Sequence, residues 1–266
     1  MEGKDDRLAL EPQVNSHSCN IVSGNGKPTV VGAMQKLRSS NASGESDLAV
    51  VALVDRDYDD DSIASSPEGI AVTDLCDRET DSLVLGGLLN EYIEFWADIE
   101  DAAIFSDGKS TAELHALHID AANSIGCLRR VSRDLESGLN MAKFPASNVV
   151  QEDLSVDVDD MIQIAISRTD ECSYTVAEIR NAYTAKQSAV EERLNCNGHD
   201  LVSIISSTSE RWSKTTRTRR DVSNYVIENT SIDVLDCLQW PFELQSTARD
   251  LGFSLWKTEL TQRTAL

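Results

Sequence analysis

Two aspartates one residue apart, Asp55 and Asp57, stand where an apolar run gives out. Leu48-Ala49-Val50-Val51-Ala52-Leu53-Val54 is followed at once by Asp55-Arg56-Asp57-Tyr58-Asp59-Asp60-Asp61. Side chains at i and i+2 of an extended chain point the same way. If the extended geometry persists through the pair, both carboxylates face one spot at the carboxyl end of a strand, where open α/β sheets place ligands. Arg56 lies between them and points oppositely. Two carboxylates held together repel unless a cation neutralises them, and hard oxygen donors suit Mg²⁺ or Mn²⁺. The same residues also serve as the polar start of a solvated loop, and the spacing alone does not separate the two readings.

The other chemistry-bearing positions carry less specific patterns. Gly24-Asn25-Gly26-Lys27 suggests a phosphate loop, but it lacks the first glycine at the required spacing, and Pro28 stands where Ser or Thr should be. It reads as a strand-to-helix turn. His115 and His118 are close enough on one helix to share a metal, yet His118 falls on the apolar stripe, as a satisfied buried histidine does. His199 beside Asp200 reads as a cap pair at a helix start.

Arg211, Trp212, Lys214, Arg217, Arg219 and Arg220 form the one basic concentration in a chain of net charge -21. An acidic surface repels phosphate, so a nucleic acid has to meet a local basic patch or bound cations. Arg217, Arg219 and Arg220 are therefore the candidate substrate-binding residues, with one aromatic beside them for stacking. A solvated loop that balances nearby carboxylates is the plainer alternative.

The elements that would position the aspartates alternate. Cys19 to Ser23 reads as a short strand ending in the Gly24–Pro28 turn, and Val30 to Leu37 as a helix with Val30, Ala33, Met34 and Leu37 on one face. A polar loop spans Ser39 to Ser46. Leu48 to Val54, apolar without alternation, reads as a central parallel strand covered on both faces. A loop with Ser65, Ser66, Pro67 and Gly69 leads to a strand at Ile70 to Thr73, and an apolar helix covers about Ser82 to Trp96.

Beyond Asp107-Gly108 the pattern is helical. Ser110-x-x-Glu113 and Thr175-x-x-Glu178 are capping boxes, and Asn197-Gly198 closes the second helix, whose stripe includes Val190. His199 to Ser206 and Glu243 to Trp256 are further helices. The expected organisation is an α/β domain over 1–107, with a mostly parallel sheet flanked by helices, and a helical C-terminal region over 108–266.

Glu2-Gly3-Lys4-Asp5-Asp6, then Val54-Asp55-Arg56-Asp57-Tyr58, and more loosely Thr73-Asp74 with Asp77-Arg78-Glu79, stand in an order that resembles the Toprim domain. There a glutamate followed by glycine precedes an aspartate pair across an α/β sheet. The chain resembles most the Toprim-like proteins that include the nuclease effector of PARIS-type anti-phage systems and are related to OLD-family nucleases. The likeness spans about residues 1 to 81. It implies a Mg²⁺-dependent nuclease in which Asp55 and Asp57 hold the metal and Glu2 is a further ligand or the general base. Glu79 is either a fourth carboxylate for a second metal or an ordinary acid in the first turn of a helix. RNA, tRNA first, is the substrate class the likeness implies. A non-catalytic module held by an ABC-type ATPase partner is its alternative.

In the family the glutamate ends a first strand, whereas here Met1 alone precedes Glu2. The expectation is that the reading frame continues upstream into an apolar run.

Composition bounds the rest. The 266 residues are 41% hydrophobic, enough for a substantial core, and 5% aromatic, so that core is aliphatic. Cys19, Cys76, Cys127, Cys172, Cys196 and Cys237 form no CxxC pair, which suggests free thiols in a cytoplasmic protein. The amino-terminal residues lack the apolar centre of a signal peptide, and Leu48 to Val54 is too short to cross a bilayer, so no membrane association is expected.

Overall fold

A computed structural model describes residues 1–44, 46–58, 68–105, 107–189 and 195–261. Asp59, Asp60 and Asp61, the loop residues Ser65, Ser66 and Pro67, and Val190 lie outside the described residues. The elements in chain order are α1 (Lys4–Leu10), α2 (Lys27–Ala42), β1 (Ala52–Val54), β2 (Ile70–Val72) and the single turn α3 (Arg78–Thr80). A π-helical turn at Asp81–Leu85 follows, then α4 (Leu88–Trp96), α5 (Ile99–Phe105), α6 (Thr111–Asp134), α7 (Val158–Ser167), α8 (Val176–Ala189) and α9 (Gly198–Trp212). The last are α10 (Arg219–Asn229), α11 (Ile232–Leu235) and α12 (Trp240–Asp250). The chain divides into two compact units, one of residues 1–88 and 224–266 and one of 89–223.

In the first unit β1 and β2 pair in parallel, Leu53 opposite Ala71. The pleat sends Leu53 and Ala71 to one face, into a core with Leu10, Trp240, Leu244 and Trp256. Ala52, Val54 and Val72 point to the other face, against Val30 and Met34 of α2. Trp256 forms an isolated antiparallel bridge with Val14, which ties the chain after α1 to the chain after α12. Asp81 is buried beneath this core. It accepts the backbone N–H groups of Asp74 and Leu75 at 2.9 and 2.7 Å and the Trp240 indole N–H at 3.0 Å.

The second unit is helical. Ser110 and Glu113 make the reciprocal capping box that opens α6, and Thr175 with Glu178 opens α8 the same way. At its centre His118 Nδ1 lies 2.8 Å from the Leu114 carbonyl, and its Nε2 lies 3.1 Å from Thr208 Oγ1, which also accepts the Trp212 indole N–H. Gly126 of α6 lies where a Cβ would collide with the Asn195 carbonyl, so a side chain there would force the two segments apart.

Several expectations are corrected. The mostly parallel α/β sheet is absent: among the described residues the sheet has two strands of three residues, and the chain is otherwise mainly helical. Leu48 to Val51 has strand composition, but β2 starts only at Ile70, and among the described residues no strand pairs with them. Cys19 to Ser23 is not a strand. Asn197 does not end α8: its side chain accepts the His199 N–H at 3.1 Å and caps the start of α9, while Asp200 turns to a two-pronged ion pair with Arg129.

Candidate metal centre

Asp55 follows β1 directly, and its carboxyl group is crowded by carboxylates from four other positions. Burial is the first cause, and the neighbouring charges of Asp77, Asp6, Glu2 and Asp57 add to it, pushing the Asp55 pKa to about 9. Glu2 approaches from the chain's first residues, and its Oε1 accepts the Asp55 backbone N–H at 2.9 Å. Burial raises the Glu2 pKa too, against the opposing pull of that hydrogen bond.

Asp57 does not continue the strand. Its φ of 53° is left-handed, so the alternation that would align it with Asp55 is broken. Its N–H donates to the Cys76 carbonyl at 2.7 Å, and its half-exposed carboxylate accepts Lys27 Nζ at 3.2 Å. Lys27 reaches the site because it opens α2 directly after the Gly24–Gly26 turn, where Gly26 takes a φ of 102° that a side chain would resist. Arg56 points away, as its position suggests, and donates to the Thr73 carbonyl at 2.9 Å.

Two carboxylates without an assigned role complete the group. Asp6 closes the first turn of α1 by accepting the Gly3 N–H, and its other oxygen accepts Arg78 Nε at 2.9 Å. Asp77 caps α3 through the N–H and hydroxyl of Thr80, both at 2.8 Å. Arg78 is 1% exposed, with Nη1 and Nη2 lacking hydrogen-bond partners. Glu79, expected as a metal ligand, faces Arg78 Nη2 at 3.8 Å and acts as its counter-charge. The signal for Asp6 is its place one helical turn beyond the Glu2-Gly3 pair. That for Asp77 is its start of a short helix beside Arg78, and neither signal is specific.

Five carboxylates thus gather against the side chains of Lys27 and Arg78, an all-oxygen donor set in charge excess, which fits a hard divalent cation by donor chemistry. Among the described residues no group of three or more His, Cys, Asp or Glu side chains closes on one point as a metal shell. The arrangement can therefore concentrate cations and hold a proton near pH 9, but it is not a finished coordination sphere.

Arg217, Arg219 and Arg220 belong to the other unit. Arg217 lies over the Trp96 ring, its Cζ 3.1 Å from the centroid, with its backbone held by Ser206 and Ser209. Arg219 and Arg220 are exposed in the first turn of α10. The structure therefore divides the expected trio into one packed and two exposed arginines. Trp212 is fully buried beside His118 and is not available for stacking on a base.

No family model, curated protein or solved structure matches the chain. Among the described residues no helix is long and apolar enough to cross a membrane.

Proposed function

We propose that the chain is a divalent-metal-dependent phosphodiesterase acting on nucleic acid, with Glu2, Asp55 and Asp57 holding the cation. The observation that carries this reading is the crowding of Asp55 by Glu2, Asp6, Asp57 and Asp77, a charge excess that a buried site tolerates best with a bound cation. When bound, Mg²⁺ or Mn²⁺ supplies charge stabilisation at the scissile phosphate and lowers the pKa of its water. The chain's own residues supply the rest. Glu2, made more basic than an ordinary carboxylate by burial, is suited to accept a proton at its carboxylate. Lys27 brings a positive charge beside Asp57, where a phosphate oxygen would otherwise meet only acids. Arg78 holds Asp6 in place.

RNA as the first substrate class, an effector role in anti-phage defence and an ABC-type ATPase partner rest on the resemblance of Glu2-Gly3 and Asp55-Arg56-Asp57 to the Toprim-like motifs. A second reading, a non-catalytic interaction module, is favoured by the Lys27–Asp57 ion pair, which already neutralises one candidate ligand. Incubating the full chain with labelled RNA and DNA, with and without Mg²⁺ or Mn²⁺, decides between them. Metal-dependent cleavage that Asp55→Asn abolishes supports the first reading. Intact substrate under every condition, with no metal-induced rise in Tm, supports the second.

A further inference from the structure

The strap of residues Thr73 to Cys76, which follows β2, holds two parts of the first unit at once. One side of it faces the turn that carries Asp55 and Asp57. Thr73 donates its N–H to the Val54 carbonyl at 3.1 Å, and its hydroxyl oxygen accepts the Arg56 N–H at 2.9 Å. The Thr73 carbonyl accepts Arg56 Nε at 2.9 Å, and the Cys76 carbonyl accepts the Asp57 N–H at 2.7 Å. The other side faces α12, which starts without a cap from the side chain of Gln239, the residue before its first turn. The Asp74 carboxylate takes that place from 165 positions away, accepting the Gln239 N–H at 2.6 Å and the Trp240 N–H as well. A carboxylate there also meets the positive end of the helix dipole. Asp81 adds a second hold, since it accepts the N–H groups of Asp74 and Leu75 together with the Trp240 indole N–H.

The two sides cannot move separately. The Thr73 carbonyl and the Asp74 N–H are the two ends of one planar peptide unit. Arg56 holds one end and Asp81 the other, so a rotation of the plane that frees one bond breaks both. Thr73 and Asp81 are fully buried, and a bond lost there leaves its partner unsatisfied rather than solvated. We infer that the docking of α12 and the shape of the 55–57 turn are coupled through this strap, which makes the carboxy-terminal segment a regulator of the carboxylate centre. None of the five carboxylates gathered at Asp55 comes from α12, so its influence runs through Thr73 to Cys76 alone. Loosening the start of α12 frees the Thr73–Asp74 peptide and, with it, the bonds that shape the turn. Whatever fixes Asp55 and Asp57 holds α12 down in return, because coupling between two sites is reciprocal. The coupling needs no cation, and only its extension to Mg²⁺ rests on the metal reading above.

The test measures amide hydrogen exchange in the full, metal-free chain, which reports local opening. Trp240→Phe removes the indole N–H and keeps a ring in the core. It should speed exchange of the Arg56 and Asp57 amides by about fivefold or more, the lower end of typical coupling between sites. The Met34 amide, in the middle of α2, is the reference and should not change. Thr73→Val works from the other side: it removes the acceptor of the Arg56 N–H and should speed the Gln239 and Trp240 amides by a similar factor. Thr73→Ser keeps the hydroxyl and should leave them as in the wild type. Unchanged Arg56 and Asp57 amides in Trp240→Phe, or a rise that Met34 shares equally, overturns the inference. Unchanged Gln239 and Trp240 amides in Thr73→Val overturn it too, and this pair decides alone if Trp240→Phe does not fold. Mg²⁺ added to the wild type should slow the Gln239 and Trp240 amides, and Asp55→Asn should cancel that effect. Mg²⁺ that raises Tm without slowing them counts against the coupling. With the metal-free coupling present, no response to Mg²⁺ of any kind sinks the metal reading and leaves the inference standing.

Discussion

The Glu2 carboxylate and the Asp55 backbone N–H, 53 positions apart in sequence, meet at 2.9 Å and join the chain's first turn to the end of β1. The bond uses the Asp55 amide and leaves the Asp55 carboxyl group to its repulsive neighbours. Glu2→Gln keeps an acceptor oxygen and removes one charge from that crowd, so its Tm should equal or exceed that of the wild type. Glu2→Ala loses the acceptor and should cost about 1 kcal/mol. Chemical denaturation of both variants measures the difference, and equal stability of the two would show that the bond contributes nothing.

Asp55→Asn should stabilise the metal-free chain, and the gain should grow with pH. The Asp55 pKa is raised from 3.8 to about 9 in the folded state. Between those values the unfolded chain is ionised here and the folded chain protonated, so the wild type loses stability as pH rises through that window. The amide does not titrate, and at pH 8 the variant should lead by a few kcal/mol. Mg²⁺ should raise the Tm of the wild type and not of the variant, because a ligand that binds the folded state alone stabilises it. Asp57→Asn, at an exposed position, should change metal-free stability by less than about 0.5 kcal/mol yet weaken the Mg²⁺ effect.

The three arginines should separate. Arg217→Ala removes a guanidinium stacked on Trp96 and should destabilise by about 1 to 2 kcal/mol. Arg219→Ala and Arg220→Ala should leave stability within about 0.5 kcal/mol. If nucleic acid binds here, each of those two should lower the slope of log affinity against log salt by about 0.9, the counterion released per phosphate contact. Salt-titrated binding isotherms check the slope, and an unchanged slope returns both residues to a solvated surface.

His118 sets an acid limit to stability. Burial lowers its pKa to about 4, so between that value and 6.5 the unfolded chain takes up a proton that the folded chain refuses. This one contribution to stability is complete above about pH 6.5 and is lost as the pH drops toward 4, by up to about 3 kcal/mol, opposite in direction to that of Asp55 over the same range. In an Asp55→Asn background, which removes the opposing titration, denaturation midpoints should fall as the pH drops across this range and be flatter once His118→Gln, which lacks the titrating ring, is added. Parallel curves would assign the loss to other groups.

The helices were readable in the sequence where their signals are local. Ser110 with Glu113, and Thr175 with Glu178, fix helix starts through atoms three residues apart, and His118 declares its burial through its place on a stripe. Sheet structure was not readable in the same way. Leu48 to Val51 is as apolar as Ala52 to Val54, and only the arrival of β2 at Ile70 decides which residues pair. Asn197 could cap either end of a helix, since Asn suits both positions, and tertiary context selects the start of α9. At the candidate site, Asp55 and Asp57 were legible as a pair. The turn to positive φ at Asp57, and the approach of Asp6 and Asp77 from separate helices, depend on long-range packing that no spacing reveals.

The bridge between Val14 and Trp256 has a consequence for synthesis. The sheet-bearing unit is written in two instalments, 1–88 and 224–266, with the helical unit entirely between them. A ribosome delivers the helical unit in full while the face of Leu53 and Ala71 still waits for Trp240, Leu244 and Trp256. At roughly 5–20 residues per second, that apolar face stays uncovered for several seconds or more. The nascent chain is therefore most open to premature aggregation, and to chaperone capture, in the interval between translation of Val72 and of Trp256.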